Sequence, residues 1–286
     1  MPKVFADAPI VESRKNGRFP ANRQAKTCVA SRNGHEPDVA LLHSMPVDGL
    51  RGRFPRWKRI VDLSCILVTL PCWLPLILLV MVVVRLSSRG PVFYRQQRIG
   101  YQGKRFMLFK FRTMHVSAET QTHEDYFAKL MLSQRPMTKL DAAGDSRLIP
   151  GARFLRASGL DELPQIFNVL RGEMTLVGPR PCLPNEFERY EHWQQLRVYV
   201  PPGLTGYWQV NGKNKTTFNE MIAMDFLYID KMSLWFDLSV LLKTLPVLVT
   251  ETSEAWQRFR ARHGSATRCH HRMPQLSQSP NGLGIE

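Results

Sequence analysis

The residues RFLRASGLDELPQIFNVLRGEMTLVGPRP, numbers 153–181 of a 286-residue chain, decide its fold and its chemistry. Two adjacent carboxylates, Asp161 and Glu162, stand where a short helix is expected to begin. Arginines precede and follow them in the chain: Arg153, Arg156 and Arg180. The free N–H groups and partial positive charge of a helix start keep a carboxylate ionised, as a nucleophile or metal ligand must be. The stretch predicts chemistry on a phosphate group, although Asp and Glu are also ordinary signals of a helix start.

The spacing of apolar residues predicts the helix itself. These residues recur every three to four positions and form one stripe: Leu160, Leu163, Phe167 and Leu170. Ser158 and Gly159 are the expected caps, and Glu162 is the expected acid at the third position. Gly172 follows the last turn, and Pro164 falls in the first turn, where its missing N–H costs little.

An uncharged apolar segment, residues 63–84, precedes this stretch. Its 22 residues are enough for a helix to reach across a bilayer core of about 30 Å. Pro71 and Pro75 interrupt its middle, where each removes a backbone hydrogen bond and bends the helix. Basic residues flank both ends, and basic flanks prefer the cytoplasmic side. We therefore expect a membrane-embedded re-entrant hairpin broken at Pro75, with a single span as the alternative.

Composition supports a membrane surface rather than nucleic acid as the partner. The formal net charge is +15 with a pI near 10.0, and many of the arginines crowd around the apolar segment. This arrangement favours contact with anionic phospholipid headgroups, and no nucleic-acid-binding motif accompanies it. The cysteines number five and are scattered, which is typical of a reducing cytosol and of neither a disulfide framework nor a metal cluster.

The chain divides into four parts. We expect a disordered tail over 1–50, a basic lead-in with the re-entrant helix over 51–86, a compact domain over 87–250 and a flexible basic tail over 251–286. The fold class is α+β, with a mainly helical domain that contains a small β-hairpin. The apolar residues 235–249 are too short for a span and predict an interfacial or core helix.

Alternation predicts the β-hairpin. Strands are expected at Val92–Arg98 and Lys104–Thr113 around a turn at 100–103. Phe109 and Phe111 are expected on one face of the second strand, with Lys110 and Arg112 on the other. Two cations side by side suit a diphosphate, and a solvated strand face is the alternative.

Six ordered blocks between residues 56 and 249 resemble the bacterial sugar transferase family, the monotopic polyprenyl-phosphate phosphoglycosyl transferases that initiate exopolysaccharide synthesis. The blocks are RIVD at 59–62 with the proline-broken helix, GPVFYRQQRIG at 90–100, FKFRTM at 109–114, LDELPQ at 160–165, LVGPRP at 176–181 and PGLTGYWQVNGK at 202–213. Both tails fall outside the resemblance.

The resemblance implies a role for each matching residue. Asp161 and Glu162 take the place of the catalytic dyad, with Asp161 as the nucleophile and a Mg²⁺ ligand. Arg156 matches an arginine that contacts phosphate, and Arg180 lies in a loop near the nucleotide. Pro75 matches the proline that breaks the membrane helix.

Two positions depart from the family pattern. Gly159 stands where the family usually has serine, so capping is expected to pass to Ser158 or to weaken. Leu74 precedes Pro75 where the family often has serine, so the bend must satisfy its backbone in another way, for which Thr69 is a candidate.

The resemblance also implies the reaction. Asp161 attacks the sugar-bearing phosphorus of a UDP-sugar and expels UMP, and undecaprenyl phosphate then takes the phosphosugar from Asp161. The enzyme is expected on the cytoplasmic face of the bacterial inner membrane, and a homo-oligomer is left open. The alternatives are a glycosyltransferase that releases UDP and a non-catalytic membrane-bound adaptor on the same scaffold.

Overall fold

The structure is a computed structural model that describes residues 54–115, 147–213 and 215–269 together with Pro136. Side chains of the last helix are described through Gln257 and at Arg260. The predicted tail over 1–50 lies outside the described residues. The described part combines helices with two small two-stranded sheets, which confirms the predicted mixture of helix and sheet behind a long apolar helix.

Helix α1, Arg56–Ser87, has 32 residues and continues through both Pro71 and Pro75. The predicted re-entrant hairpin is therefore not seen as two separate arms. Thr69 donates a hydrogen bond of 2.7 Å to the carbonyl of Cys65, four residues earlier. That carbonyl is not the one that Pro75 deprives of its helical donor, which belongs to Pro71, so the predicted role of Thr69 at the bend is wrong.

One face of α1 packs against the rest of the protein. Its buried residues are spaced by three, four or seven positions, as a single helical stripe requires: Lys58, Asp62, Ile66, Trp73, Ile77, Val80 and Val84. The opposite face exposes a large apolar surface, which includes Leu67, Val68, Leu79 and Leu86. By length and composition, α1 is the one helix of the described residues that could cross a membrane.

Contacts fix both ends of α1 to the same folded domain. At the N-terminal end, Arg59 donates to the carbonyls of Val169 and Leu170, the latter at 2.7 Å. At the C-terminal end, Arg112 donates to the carbonyls of Ser88 at 2.9 Å and Arg89 at 3.0 Å. A helix rises about 1.5 Å per residue, so these contacts lie roughly 40 Å apart along α1. The domain therefore lies alongside the helix.

Strands β1, Phe93–Ile99, and β2, Arg105–Phe111, form the predicted antiparallel hairpin within two residues of the predicted bounds. The register pairs Phe109 with Arg95 and Phe111 with Phe93, so the two phenylalanines lie on one face of the hairpin, as predicted. Phe109 lies under the guanidinium groups of Arg95 and Arg171, whereas Phe111 stacks on Phe93 in the core. This face of the hairpin thus meets cations at Phe109 and the core at Phe111.

The remaining elements cover the hairpin and α1. A first group follows the hairpin: α2 Ala152–Ala157, a 3₁₀ turn Leu160–Glu162 and α3 Gln165–Arg171. A parallel pair, β3 Thr175–Val177 and β4 Gly203–Thr205, frames a second group: α4 Pro184–Glu188, α5 His192–Gln195 and a 3₁₀ turn Leu196–Tyr199. The chain ends in three more helices: α6 Tyr207–Asn211, α7 Phe218–Lys231 and α8 Leu234–Cys269.

The helix predicted from Leu160 is split in two. Asp161 and Glu162 belong to the 3₁₀ turn, and Pro164 is the N-cap of α3 instead of lying in its first turn. The predicted apolar stripe is also wrong, because Phe167 and Leu170 are exposed. The buried face of α3 instead carries Gln165, Ile166, Asn168 and Val169.

Helix α8 has two unlike faces. Its inner side reaches the core through Val240 and contacts β4 through the hydroxyl pair Thr205 and Thr244 at 2.9 Å. Its outer side exposes an apolar row: Leu234, Trp235, Leu238, Leu242, Leu245, Val249 and Trp256. The inner side thus fits the core role predicted for residues 235–249, and the interfacial role stays a prediction. The helix runs through residue 250, so the predicted domain boundary lies inside it.

Candidate active site

The two carboxylates stand on a tight turn between two helices. Gly159 precedes the turn with φ 70°, in the left-handed region that a serine adopts only with strain. A Cβ there would also lie 3.1 Å from Cδ2 of Leu248 on α8. Ser158 Oγ donates back to the Phe154 carbonyl at 2.8 Å, so it does not cap the turn as predicted. Glycine at this position is thus explained by backbone conformation and packing.

The environments of the two acids differ. Asp161 is 7% exposed, whereas Glu162 is half-buried. Glu162 Oε1 accepts a hydrogen bond of 2.7 Å from Lys110 Nζ on β2. The two side chains are 34% and 25% exposed, so solvent screens the pair only in part. The structure therefore brings the predicted dyad together with one of the predicted phosphate-binding cations.

Arg112 occupies a different place from Lys110. Its side chain is 5% exposed, and its guanidinium donates to the carbonyls that follow α1 and to Ser88 Oγ at 2.7 Å. Arg112 lies just beyond the end of β2, and its amide donates to the Val92 carbonyl at 2.9 Å. These contacts are those of a residue that fastens α1 to the hairpin, and its binding to phosphate stays a prediction.

Arg156 lies in the last turn of α2, five residues before Asp161. Its side chain is half-buried, as suits a cation that must meet a ligand from solvent. Arg180 follows β3, in the loop 178–182, and its Nη1 lies 3.5 Å from Oε2 of Glu186 on α4. Both predicted arginines are thus partly accessible, Arg156 on a helix and Arg180 on a loop.

The loop 178–182 is joined to the hairpin. The amide of Ile99 donates to the Cys182 carbonyl at 2.9 Å, and Arg98 Nη1 donates to the Pro181 carbonyl at 3.1 Å. Burial lowers the pKa of the Arg98 guanidinium and the charge of Arg180 lowers it further, while the nearby acids, Glu162 among them, act in the opposite direction. Arg180 and Glu162 of the acidic turn thus both lie close enough to Arg98 to change its pKa.

Sequence reasoning counted Arg98 only as a basic flank of the membrane segment. The hairpin register offered a signal, because Arg98 pairs with Phe106 and Tyr94 pairs with Lys110. Residues two and four apart on a strand share a face, so Arg98 and Lys110 belong to the same face of the hairpin. The shared face thus carries both cations, with Arg98 four residues along the hairpin from Lys110, about 13 Å away.

The glycines of the block at 202–213 serve packing. A Cβ on Gly203 would lie 2.1 Å from the amide nitrogen of Gly178, and one on Gly206 would lie 2.4 Å from the Gly178 carbonyl oxygen. Two backbone segments thus approach each other too closely for any side chain. This contact fixes where the loop after β3 begins, and hence where Arg180 stands.

The donor groups at the turn suit magnesium. Within the described ranges, no group of three or more His, Cys, Asp or Glu side chains gathers, so no all-protein metal cage is formed there. Mg²⁺ is commonly held by one or two carboxylates together with substrate phosphates. Asp161 and Glu162 on one turn match that smaller requirement.

The structure thus places an acidic turn on a domain that packs along a long apolar helix. The family profile described as "Bacterial sugar transferase" matches residues 54–251. The chain belongs to this family, which confirms the resemblance that the sequence blocks suggested.

Three relatives illustrate the similarity. The exopolysaccharide production protein ExoY of Sinorhizobium fredii is 36% identical over 191 residues, which cover 67% of this chain and 84% of the relative. The UDP-glucose:undecaprenyl-phosphate glucose-1-phosphate transferase of Xanthomonas campestris is 40% identical over 219 residues, 71% of this chain and 42% of the relative. The undecaprenyl-phosphate galactose phosphotransferase of Salmonella typhimurium is 35% identical over 198 residues, 67% of this chain and 40% of the relative. This chain thus spans about two-fifths of the last two proteins.

Proposed function

We propose that this protein transfers a sugar 1-phosphate from a UDP-sugar to undecaprenyl phosphate, with release of UMP and formation of an undecaprenyl-diphosphate-sugar. The name of the Xanthomonas relative describes transfer of glucose 1-phosphate between UDP-glucose and undecaprenyl phosphate, and that of the Salmonella relative describes an undecaprenyl-phosphate galactose phosphotransferase. The name of the ExoY relative places that protein in exopolysaccharide production. The observation that carries the proposal is the acidic turn, with Asp161 buried and Glu162 paired to Lys110, on a domain fastened along an apolar helix.

Asp161 is the proposed nucleophile. Its carboxylate oxygen bonds to the sugar-bearing phosphorus while the bond from that phosphorus to the UMP oxygen breaks. A phosphate oxygen of the lipid then bonds to the same phosphorus, and the bond to Asp161 breaks. With 7% of its surface exposed, Asp161 is largely shielded from water, which would otherwise hydrolyse the aspartyl-phosphosugar.

The surrounding charges serve the transferring phosphoryl group. Catalysis of phosphoryl transfer is mainly positioning and electrostatic stabilisation. Arg156 and Arg180 are proposed to bind the donor phosphates, and Lys110 is proposed to hold Glu162 at the turn. Mg²⁺, when bound by Asp161 with Glu162 beside it, would neutralise charge on the diphosphate.

The packing of α1 supports attachment from one side of the membrane. The domain contacts α1 from Arg59 to Arg89, so a helix that crossed the bilayer would drag polar domain surface into the hydrocarbon. We infer that α1 is embedded from the cytoplasmic face of the inner membrane without emerging on the far side. Its exposed apolar face would then meet lipid, and the basic flanks would meet phospholipid headgroups.

The deciding experiment uses the full chain in nanodiscs with Mg²⁺, undecaprenyl phosphate and a panel of UDP-sugars. Active donors should release UMP and yield lipid-linked diphosphate sugar. Asp161→Asn should abolish both products, since it keeps the shape but removes the nucleophilic charge. Glu188→Gln changes an exposed acid on α4 and should keep full activity. Release of UDP would establish sugar transfer without phosphate, and no release from any donor would favour a non-catalytic adaptor.

A further inference from the structure

Two residues outside the acidic turn hold the loop that carries Arg180. Arg197, in the 3₁₀ turn Leu196–Tyr199, donates through Nη2 to the Arg180 carbonyl at 2.9 Å. Its side chain is 2% exposed, so no solvent competes for this bond. Arg98 holds the next carbonyl along the chain, that of Pro181, from the hairpin side. Guanidinium groups from two separate elements thus fix neighbouring peptide units of one loop.

Arg197 is itself anchored by an acid. Asp225 on α7 forms an ion pair with Arg197 Nη2 and is 3% exposed, although the contact lacks the alignment of a hydrogen bond. Tyr190 Oη accepts from the other terminal nitrogen, Nη1, at 3.2 Å. A buried ion pair costs desolvation and adds little net stability compared with apolar residues of the same size. Net stability is therefore a poor explanation for the Arg197–Asp225 pair, and its contact with the loop 178–182 suggests a role in holding that loop.

We propose that Arg197, oriented by Asp225, is a positioning residue that fixes the backbone of residues 179–181 so that the Arg180 side chain points at the diphosphate of the nucleotide donor. This inference rests on the proposed function, because it assigns Arg180 to the donor. The peptide carbonyl of Arg180 is the point of contact, so a shift there displaces the side chain that the same residue carries. Misplacement of a positioning group by about 1 Å can cost on the order of 100-fold in rate.

The test is a double-mutant cycle that joins Arg197→Lys to Arg180→Ala. Lysine keeps the positive charge beside Asp225 but lacks the planar fork that bonds two partners at once. Arg197→Lys should raise the KM for the UDP-sugar about tenfold while the KM for undecaprenyl phosphate stays unchanged. In the Arg180→Ala background the same substitution should have no further effect, since Arg197 acts only through Arg180.

A stability control separates positioning from loosening of α7. Thr217 caps α7 by accepting from the Glu220 amide at 3.3 Å, so Thr217→Ala weakens the helix that carries Asp225 without touching the loop. It should lower the melting temperature and leave the donor KM unchanged. Independent effects of the Arg197 and Arg180 substitutions, or equal changes in donor and acceptor KM, would overturn the proposal.

Direct binding distinguishes this inference from the proposed function. UDP affinity, measured by calorimetry on the Asp161→Asn protein, needs no turnover. If UDP binds and Arg197→Lys weakens it about tenfold in the presence of Arg180 only, the positioning role stands even when no UMP is released in the assay. If the enzyme releases UMP but Arg197→Lys leaves the affinity for UDP unchanged, the positioning role is wrong while the proposed function stands.

Discussion

Lys110 and Glu162 show which properties of single residues can be predicted from the sequence and which cannot. Strand alternation correctly put Lys110 in a strand, and the acidic pair was evident from its position in the chain. Their 2.7 Å contact joins residues 52 positions apart and was not predictable from either pattern. The same holds for Arg197, whose partners Arg180 and Asp225 become neighbours only when the chain folds.

Removal of the Lys110 charge should weaken catalysis. Lys110→Met keeps the length of the side chain but leaves Glu162 without its cation. We expect kcat/KM to fall about 100-fold, which corresponds to roughly 2.7 kcal/mol of transition-state stabilisation. Steady-state UMP release measures this loss.

Arg105→Met is the matched control, because Arg105 is on the same strand but 58% exposed. It should retain nearly full activity. Equal losses in the two variants would show that the hairpin needs charge in general and Lys110 has no special part.

Asp225 should leave a signature in the pH dependence of stability. Burial raises the pKa of this carboxyl to about 6, although the positive charges of Arg197 and Arg180 act to lower it. Tyr190, the other titratable group that contacts Arg197, has its pKa raised well above the usual range by burial. An acid with a raised pKa binds its proton more tightly when folded, so its contribution to stability is full below about 4 and is lost as pH rises through about 6. The unfolding free energy of the native protein minus that of Asp225→Asn should thus decrease between pH 4 and pH 7. Chemical denaturation at several pH values measures it, and an increase would mean that the arginines outweigh burial.

Among the elements, α1 was the easiest to predict and the hardest to place. Its uncharged length and prolines are local properties, whereas its burial against the domain depends on distant partners. Lys58 shows this: it is 1% exposed and donates to Tyr228 Oη at 2.7 Å and to Asp237 at the start of α8. The pattern marked Lys58 only as part of a basic flank.

Breaking this buried contact should destabilise the protein strongly. Lys58→Met leaves the Asp237 carboxylate buried without its cation, which typically costs about 3–5 kcal/mol. Thermal unfolding in detergent should show a large drop in melting temperature. A second substitution, Asp237→Leu, should recover part of the loss, because both charges are then gone.

Arg56→Met provides the comparison two residues away, where the side chain is exposed. It should change the melting temperature little. A similar drop for both single variants would assign the effect to the basic lead-in as a whole.

At the scale of the whole molecule, the predicted mixture of helix and sheet is confirmed, whereas the division into domains stays a prediction. The α+β character followed from the mixture of alternating and helical periods, which are local signals. The limit at residue 250 was set by a change in composition, yet α8 continues to Cys269. A change from apolar to polar composition does not end a helix, because each further residue can add a backbone hydrogen bond to a helix that is already formed.

Attachment from one side of the membrane predicts that both ends of the chain remain in the cytoplasm. Single reporter cysteines near residues 10 and 280, in a background without other cysteines, should resist an impermeant thiol reagent in intact cells. Both should react after permeabilisation, which serves as the control. Labelling of only one end in intact cells would establish a crossing helix. Pro75→Leu should shift some molecules toward that crossing topology.

The two hydrogen bonds from Arg59 to carbonyls at the end of α3 tie this helix, and with it the acidic turn, to α1. Only Leu163 and the N-cap Pro164 separate the acidic turn from α3, so the position of the turn relative to the membrane should follow that of α1. The water-soluble donor reaches the turn by diffusion through the solution, whereas the lipid acceptor reaches it only by lateral diffusion within the membrane. Turnover should therefore follow the mole fraction of undecaprenyl phosphate in the membrane and stay the same when the membranes are diluted into buffer with the same donor concentration.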